Sequence, residues 1–199
     1  MLSGGQSTRM GEEKGLVRLG GKAMVEHVIA AIEPFADELI LVVGRGKTSL
    51  YSSAREQGVR IVEDEAELVG PLEGLVTGMA IARGEYVIAS PCDTPFLKGR
   101  LCELVAVRAK GMDGAVPIVR GYMEPLHAAY RRKTCSNVFE RALKAGVRKP
   151  VDAYDDLTIE RVEEDELRRL DPDLDSYWNL NTQEELARAR TRFDRASTI

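Results

Sequence analysis

Cysteine is scarce in this 199-residue chain, and what there is does not pair. Cys92, Cys102 and Cys135 are odd in number and lack the close spacing of a metal site. A disulfide framework and a cysteine-held metal are therefore not expected, and reduced thiols of a cytoplasmic protein are the simpler reading. No apolar run approaches the roughly 20 residues needed to cross a bilayer. The first residues carry no basic-then-apolar signal segment. Positive charge is not in excess either: 28 Lys and Arg against 32 Asp and Glu leave a formal net charge of −4. That balance argues against a nucleic-acid partner, which would call for a basic surface. What remains is 44% hydrophobic and 30% charged, the composition of a soluble globular protein, at a length that suits a single domain over residues 1–199.

The most informative stretch is residues 1–14, M-L-S-G-G-Q-S-T-R-M-G-E-E-K. It has almost nothing to bury. Gly4, Gly5 and Gly11 permit positive φ and close approach of backbone to a ligand, and successive N–H groups can form an anion-binding nest. Arg9 offers a forked cationic contact and Lys14 a point charge. A phosphate-rich ligand is the natural reading. Two familiar phosphate loops are excluded by spacing. Gly11 is followed by Glu12 and Lys14 by Gly15, so the G-x-x-x-x-G-K-[ST] pattern fails. Gly4-Gly5 followed by Gly11 does not make G-x-G-x-x-G.

Beyond this stretch, apolar periodicity predicts a helix over residues 22–35, stopped near Pro34, and a buried strand over 39–43. A polar helix over 49–57 and a strand over 59–62 follow. Pro71 is placed to open a helix over 72–82. Strand 86–89 leads into Ser90-Pro91-Cys92-Asp93-Thr94-Pro95, then come a helix over 101–107 and a strand over 114–119. The second half is less regular: a strand over 126–130, helices over 136–143 and 151–157, a strand over 159–162 and a helix over 183–193. Residues 163–166, all acidic, read as a solvated face. Thr182 and Glu185 form a capping box. Strand–helix alternation of this kind gives a three-layer, Rossmann-like α/β fold with a mostly parallel sheet. Ligands sit at the carboxyl ends of such strands, where the first loop, Asp64 and Asp93 all fall.

Asp93 is a lone carboxylate in a loop stiffened by two prolines. It suits Mg²⁺ shared with substrate phosphates, or equally a carboxylate that satisfies turn amides. His27 reads as an ordinary helix side chain, and His127 equally as a core histidine or a polar group near a ligand.

The segment L-S-G-G-Q-S-T-R-M-G-E-E-K resembles the signature loop of nucleotidyltransferases that attach a nucleoside monophosphate to a phosphorylated acceptor, in particular the molybdenum cofactor guanylyltransferases of the MobA family. P-C-D-T-P-F-L, G-P-L-E-G and N-L-N-T-Q-E-E-L are similar to further segments of that family, so the resemblance runs from Leu2 to about Leu186. It implies a fold of the nucleotide-diphospho-sugar transferase type. It also implies GMP transfer from GTP to the molybdopterin phosphate with release of pyrophosphate, in the cytoplasm, with handover to other proteins of the pathway. Leu2, Ser3, Gly4, Gly5, Lys14, Asp64 and Asp93 would bind nucleotide, and Asp93 would carry Mg²⁺. Arg9, Lys14 and Asp93 would serve catalysis, and Asn179 and Asn181 would face the acceptor. The asparagine that the family carries after its third strand, a base or ribose contact, would fall near Gly44 in V-V-G-R-G and is absent here, which leaves CTP or another phosphorylated acceptor as the alternative. In that family an apolar strand precedes the loop, whereas here the loop begins at Leu2. Either that strand is nearly absent or the start lies upstream of Met1, and the second is expected.

Overall fold

Short runs rich in Val, Ile and Leu become the inner strands, because a strand covered on both faces has no polar side to show. The computed structural model describes residues 1–3, 13–64 and 70–196. The first elements are β1 (Leu2–Ser3), the hairpin β2 (Arg18–Leu19) and β3 (Lys22–Ala23), α1 (Met24–Ile32) and β4 (Ile40–Val43). They are followed by α2 (Ser52–Glu56), β5 (Arg60–Glu63), α3 (Pro71–Ile81), β6 (Tyr86–Ile88), α4 (Gly99–Arg108) and β7 (Gly114–Val119). The remainder is β8 (Tyr122–Met123), β9 (Ala129–Arg131), α5 (Arg132–Lys144), β10 (Ile159–Val162), α6 (Glu164–Leu170) and α7 (Gln183–Ala196).

The strands form two main groups, β1-β4-β5 and β10-β7-β9-β6, with β8 on the edge of β7. A single parallel bridge between Leu2 and Pro91 joins the groups. The expected parallel arrangement holds for β1, β4 and β5 and for β10 on β7. It fails at β9, which lies antiparallel between β6 and β7. The chain returns from β7 through the short β8 turn with no crossover helix, and a short link can only reverse direction.

Helix α1 buries Met24, Val25, Val28, Ile29 and Ile32, the stripe that its spacing predicts. Its N-terminal amide at Ala23 is satisfied by Glu26 Oε2 at 2.8 Å. Pro71 opens α3, where its missing N–H costs nothing. The acidic run at residues 163–166 is not merely a solvated face. Glu164 to Glu166 form the first turn of α6, where the helix dipole favours carboxylates, and Glu166 pairs with Arg108 at 2.9 Å. The β2–β3 hairpin has no apolar alternation to announce it. Gly20 and Gly21 take φ of 56° and 84° at its turn, and buried Leu19 packs with Leu180, Leu186 and Ala189. This contact lays α7 beside the segment that carries Lys14. All three cysteines are buried and free.

Candidate active site

Parallel register brings the ends of three strands level: Ser3 lies beside Val43, and Val43 beside Glu63. The bridge from Leu2 to Pro91 then adds the loop that follows β6. Asp64 and Asp93 therefore stand at the same edge of the sheet as the end of β1, where strand carboxyl ends leave a crevice. Gly4, Gly5, Arg9 and Gly11 lie outside the described residues.

Lys14 is the centre of the described site. Its ammonium donates to Asn181 Oδ1 at 2.5 Å and lies 3.5 Å from Asp93 Oδ2. The two side chains of that ion pair are 25% and 16% exposed, so the pair is partly shielded and still reachable from solvent. Burial raises the Asp93 carboxyl above the usual range; the neighbouring Lys14 charge pulls the other way and does not fully offset it. Asn181 is fixed in turn. Its amide N–H donates to Glu185 Oε2 at 2.7 Å, and its Nδ2 donates to the Asn179 carbonyl at 3.2 Å. Leu180 N–H donates to the Asp93 carbonyl at 3.0 Å, which stitches the 179–181 segment onto the aspartate loop. The Asn179 Oδ1 atom is buried without a hydrogen-bond partner among the described residues. The capping box is present: Glu185 N–H donates to Thr182 Oγ1 at 3.1 Å and Thr182 N–H to Glu185 Oε2 at 2.9 Å. It orders the turn that presents Asn181.

Ser3 faces inward. Its Oγ is 2.5 Å from the Tyr51 hydroxyl, and both lie within reach of Glu13 Oε1. Lys47 closes the network with an ion pair of 2.6 Å to Glu13 Oε2. The hydroxyl of Ser3 is thus turned away from a ligand, and its main chain lies in the β1–β4 pairing. Tyr51, Glu13 and Lys47 escaped the sequence reading; the one signal was Lys47 itself, in G-R-G-K directly after β4. Gly15 is enclosed by the same group. A Cβ there would meet Tyr51 Oη at 3.0 Å, Cys92 Sγ at 3.1 Å and Ser3 Oγ at 3.1 Å. Burial pushes the Cys92 thiol up to about 12, so it is an inert filler.

Asp64 occupies the other flank. Its backbone N–H donates to the Val43 carbonyl at 2.7 Å, and Thr77 Oγ1 of α3 donates to Oδ1 at 3.4 Å. Gly74 lets α3 come close: a Cβ there would lie 3.1 Å from Leu2 Cδ2 and 3.7 Å from Asp64 Oδ2. The carboxyl of Glu73 is raised by burial and then by the Asp64 charge.

His27 is an ordinary helix side chain, its Nε2 2.8 Å from the Leu19 carbonyl. His127 is buried before β9, its ring tilted against Tyr177 at 4.8 Å between centroids and its Nδ1 3.9 Å from Glu124. Burial lowers its pKa to about 4 and keeps it neutral at physiological pH. It makes no described contact with Lys14 or Asp93.

An α/β sheet that gathers a lysine, a carboxylate and an amide at its strand ends has the architecture of the nucleotidyltransferases. The comparisons bear this out and narrow it. The chain belongs to the MobA-like NTP transferase family, whose domain model matches residues 1–157. It is 34% identical over 191 residues to a molybdenum cofactor guanylyltransferase of Desulfosudis oleivorans, covering 95% of this chain and 92% of that protein. The molybdopterin-guanine dinucleotide biosynthesis protein A of Archaeoglobus fulgidus superposes with a TM-score of 0.81 at 27% identity, covering 100% of this chain and 97% of that one. The fold extends to 4-diphosphocytidyl-2C-methyl-D-erythritolsynthase of Anaerococcus prevotii, with a TM-score of 0.73 at 15% identity over 97% of this chain and 93% of that one.

Proposed function

We propose that the protein transfers GMP from GTP to the terminal phosphate of molybdopterin. An oxygen of the acceptor phosphate forms a bond to the α-phosphorus, the bond from that phosphorus to the β-phosphate oxygen breaks, and pyrophosphate leaves. The acceptor phosphate is already ionised, so the chain need not supply a general base. Catalysis of this kind rests on positioning and on charge neutralisation. The observation that carries the reading is the Lys14 ammonium, fixed between Asn181 and Asp93 at the strand ends. The named activity of the curated relatives supports its direction toward guanylyl transfer.

In this reading Lys14 and Arg9 neutralise the triphosphate, and backbone amides of the loop that begins at Gly4 cradle it. Leu2 and Ser3, expected to bind nucleotide, instead hold that loop to the sheet, since the Leu2 amide donates to Ser90 and Ser3 pairs with β4. Asp64 orients the nucleoside. Asn181 sets the Lys14 head, and Asn179 turns toward the acceptor. Among the described residues no cluster of three His, Cys, Asp or Glu could hold a metal. Mg²⁺ nevertheless fits, because it usually takes one or two carboxylates and completes its shell from phosphates and water. Asp93 would hold it; the Asn179 oxygen, buried without a partner on the segment that bonds to the Asp93 carbonyl through Leu180, is a hard donor of the kind such an ion takes. Bound there, the ion would supply charge neutralisation. No described helix is long and apolar enough to cross a membrane. A cytoplasmic setting, with the product passed to handover proteins and no nucleic acid or membrane involved, belongs to the same proposal.

Titration calorimetry with GTP, CTP and ATP, each with Mg²⁺, tests it. Selective GTP binding is expected. Preference for CTP, or no binding of any nucleotide, would overturn it.

A further inference from the structure

The segment that carries Asn179 and Asn181 is fixed well before it reaches the site. Directly after α6 stands Asp171, a charged residue with no exposure to solvent. Its Oδ1 lies 2.8 Å from the Lys98 ammonium, its Oδ2 accepts the Ser176 N–H at 2.8 Å, and its carbonyl accepts the Leu174 N–H at 3.0 Å. The turn so formed holds buried Leu174 at a φ of 57°. A leucine enters that region only against steric cost, and such strain persists where the surroundings over-determine it.

Ser176, equally buried, reaches across to a second segment. Its Oγ accepts the Lys98 N–H at 3.0 Å and donates to the Phe96 carbonyl at 3.4 Å. Phe96 and Lys98 end the loop that begins at Pro91 and carries Asp93. Two further contacts continue the same line. The rings of Phe96 and Trp178 stack at 5.6 Å and 12°, packed against the cluster of Val17, Leu19 and Met24. Leu180 N–H then meets the Asp93 carbonyl at 3.0 Å. Fastenings at Ser176, Trp178 and Leu180 thus lay one segment along the other. The next residue is Asn181, whose Oδ1 receives the Lys14 ammonium.

We propose that Asp171 and Ser176 are positioning residues for the transfer reaction: they clasp the 171–181 segment to the Asp93 loop and so set Asn181 at the Lys14 ammonium. The inference rests on the reading of Lys14, Asn181 and Asp93 as one site. Both residues act through Asn181, and neither needs to touch a substrate. Cohesion alone does not call for them. A buried ion pair must be desolvated, and apolar side chains of similar volume hold two segments together at least as well. Hydrogen bonds to a buried charge add a defined place and angle, and what they place here is the turn that bears Asn181.

Trp178 is the only tryptophan of the chain, so its fluorescence reports the clasp directly. Ser176→Ala removes both hydroxyl bonds and leaves the pair of Asp171 and Lys98 in place. It is expected to shift Trp178 emission to longer wavelength and open it to acrylamide quenching, with the circular dichroism of the parent. Its kcat/KM should fall about 10- to 100-fold. In an Asn181→Ala background the same substitution should cost no more than about twofold, because the contact it positions is already gone. Asp171→Asn, which keeps the volume and removes the charge, should behave alike; where it does not fold, Ser176→Ala carries the test. Parental emission in Ser176→Ala would overturn the proposal. So would losses that multiply in full in the double variant, or a fall in kcat/KM that only follows a lowered Tm. Turnover is followed with whichever nucleoside triphosphate the parent uses, so a parent that ignores GTP contradicts the guanylyl reading while the variants still decide the clasp.

Discussion

Lys14 Nζ and Asn181 Oδ1 meet at 2.5 Å across 167 positions of sequence. The contact ties the segment after β1 to the turn before α7 and holds the ammonium 3.5 Å from Asp93. Replacing Asn181 by Ala leaves its backbone bond to Glu185 in place but releases the lysine head. Steady-state kinetics on Asn181→Ala should show kcat/KM down by about 10- to 100-fold, which corresponds to roughly 1.4–2.8 kcal/mol of transition-state stabilisation. An unchanged kcat/KM would remove Asn181 from the site.

Asp93→Asn separates chemistry from stability. Turnover should fall by about a thousandfold or more, on the scale of lost transition-state charge stabilisation. The sign for stability is opposite to that of an ordinary paired carboxylate. The folded Asp93 carboxyl is raised above its usual value by burial, so the folded chain binds the proton more readily than the unfolded chain. Ionised Asp93 therefore works against the fold at neutral pH. Calorimetric Tm of Asp93→Asn at pH 7 should equal or exceed that of the parent, and a large drop would contradict the assignment of its pKa.

The Met1 ammonium gives a pH window. Burial first of all, opposed by the Cys92 charge, lowers its pKa from 8.0 to about 6. The unfolded chain then binds more protons between those values, so stability rises with pH from 6 to 8 and is flat on either side of the window. Two units at 1.36 kcal/mol each give an upper bound of about 2.7 kcal/mol. Urea unfolding of the 199-residue chain across pH 5.5–8.5 should show the slope, and N-acetylation should remove it.

Gly15→Ala should destabilise by packing alone. The added methyl would lie 3.0–3.1 Å from Tyr51 Oη, Cys92 Sγ and Ser3 Oγ, all buried. Overpacking of that kind costs about 1–3 kcal/mol, seen as a lower urea midpoint with unchanged m-value.

Most of the frame was legible in local pattern. The apolar runs at β4 and β7, the stripe of α1, Pro71 at the start of α3 and the capping box of Thr182 and Glu185 each carry their own short-range signal. The position of Asp93 at a strand end was legible too, because a carboxylate between prolines is locally conspicuous; its role was not, since a turn carboxylate reads the same way. The pairings were not. Asn181 reads in the sequence as an acceptor-side residue, and its contact with Lys14 is a relation no spacing rule contains. Ser3 looked like part of a ligand loop, but its hydroxyl is turned inward by Tyr51, which sits 48 positions away. The antiparallel placement of β9 follows from connection length, and the β2–β3 hairpin from two glycines with only a few residues to pair. Long-range partners decide these features, and a one-dimensional pattern does not hold them.

The most direct test of the account is a transfer assay on the purified protein with molybdopterin, Mg²⁺ and GTP labelled at the α-phosphate. The account predicts label in a guanine dinucleotide product, with one pyrophosphate released per product and loss of both in Asp93→Asn. Pyrophosphate release with CTP but not GTP, or label that never leaves the free nucleotide, would contradict it.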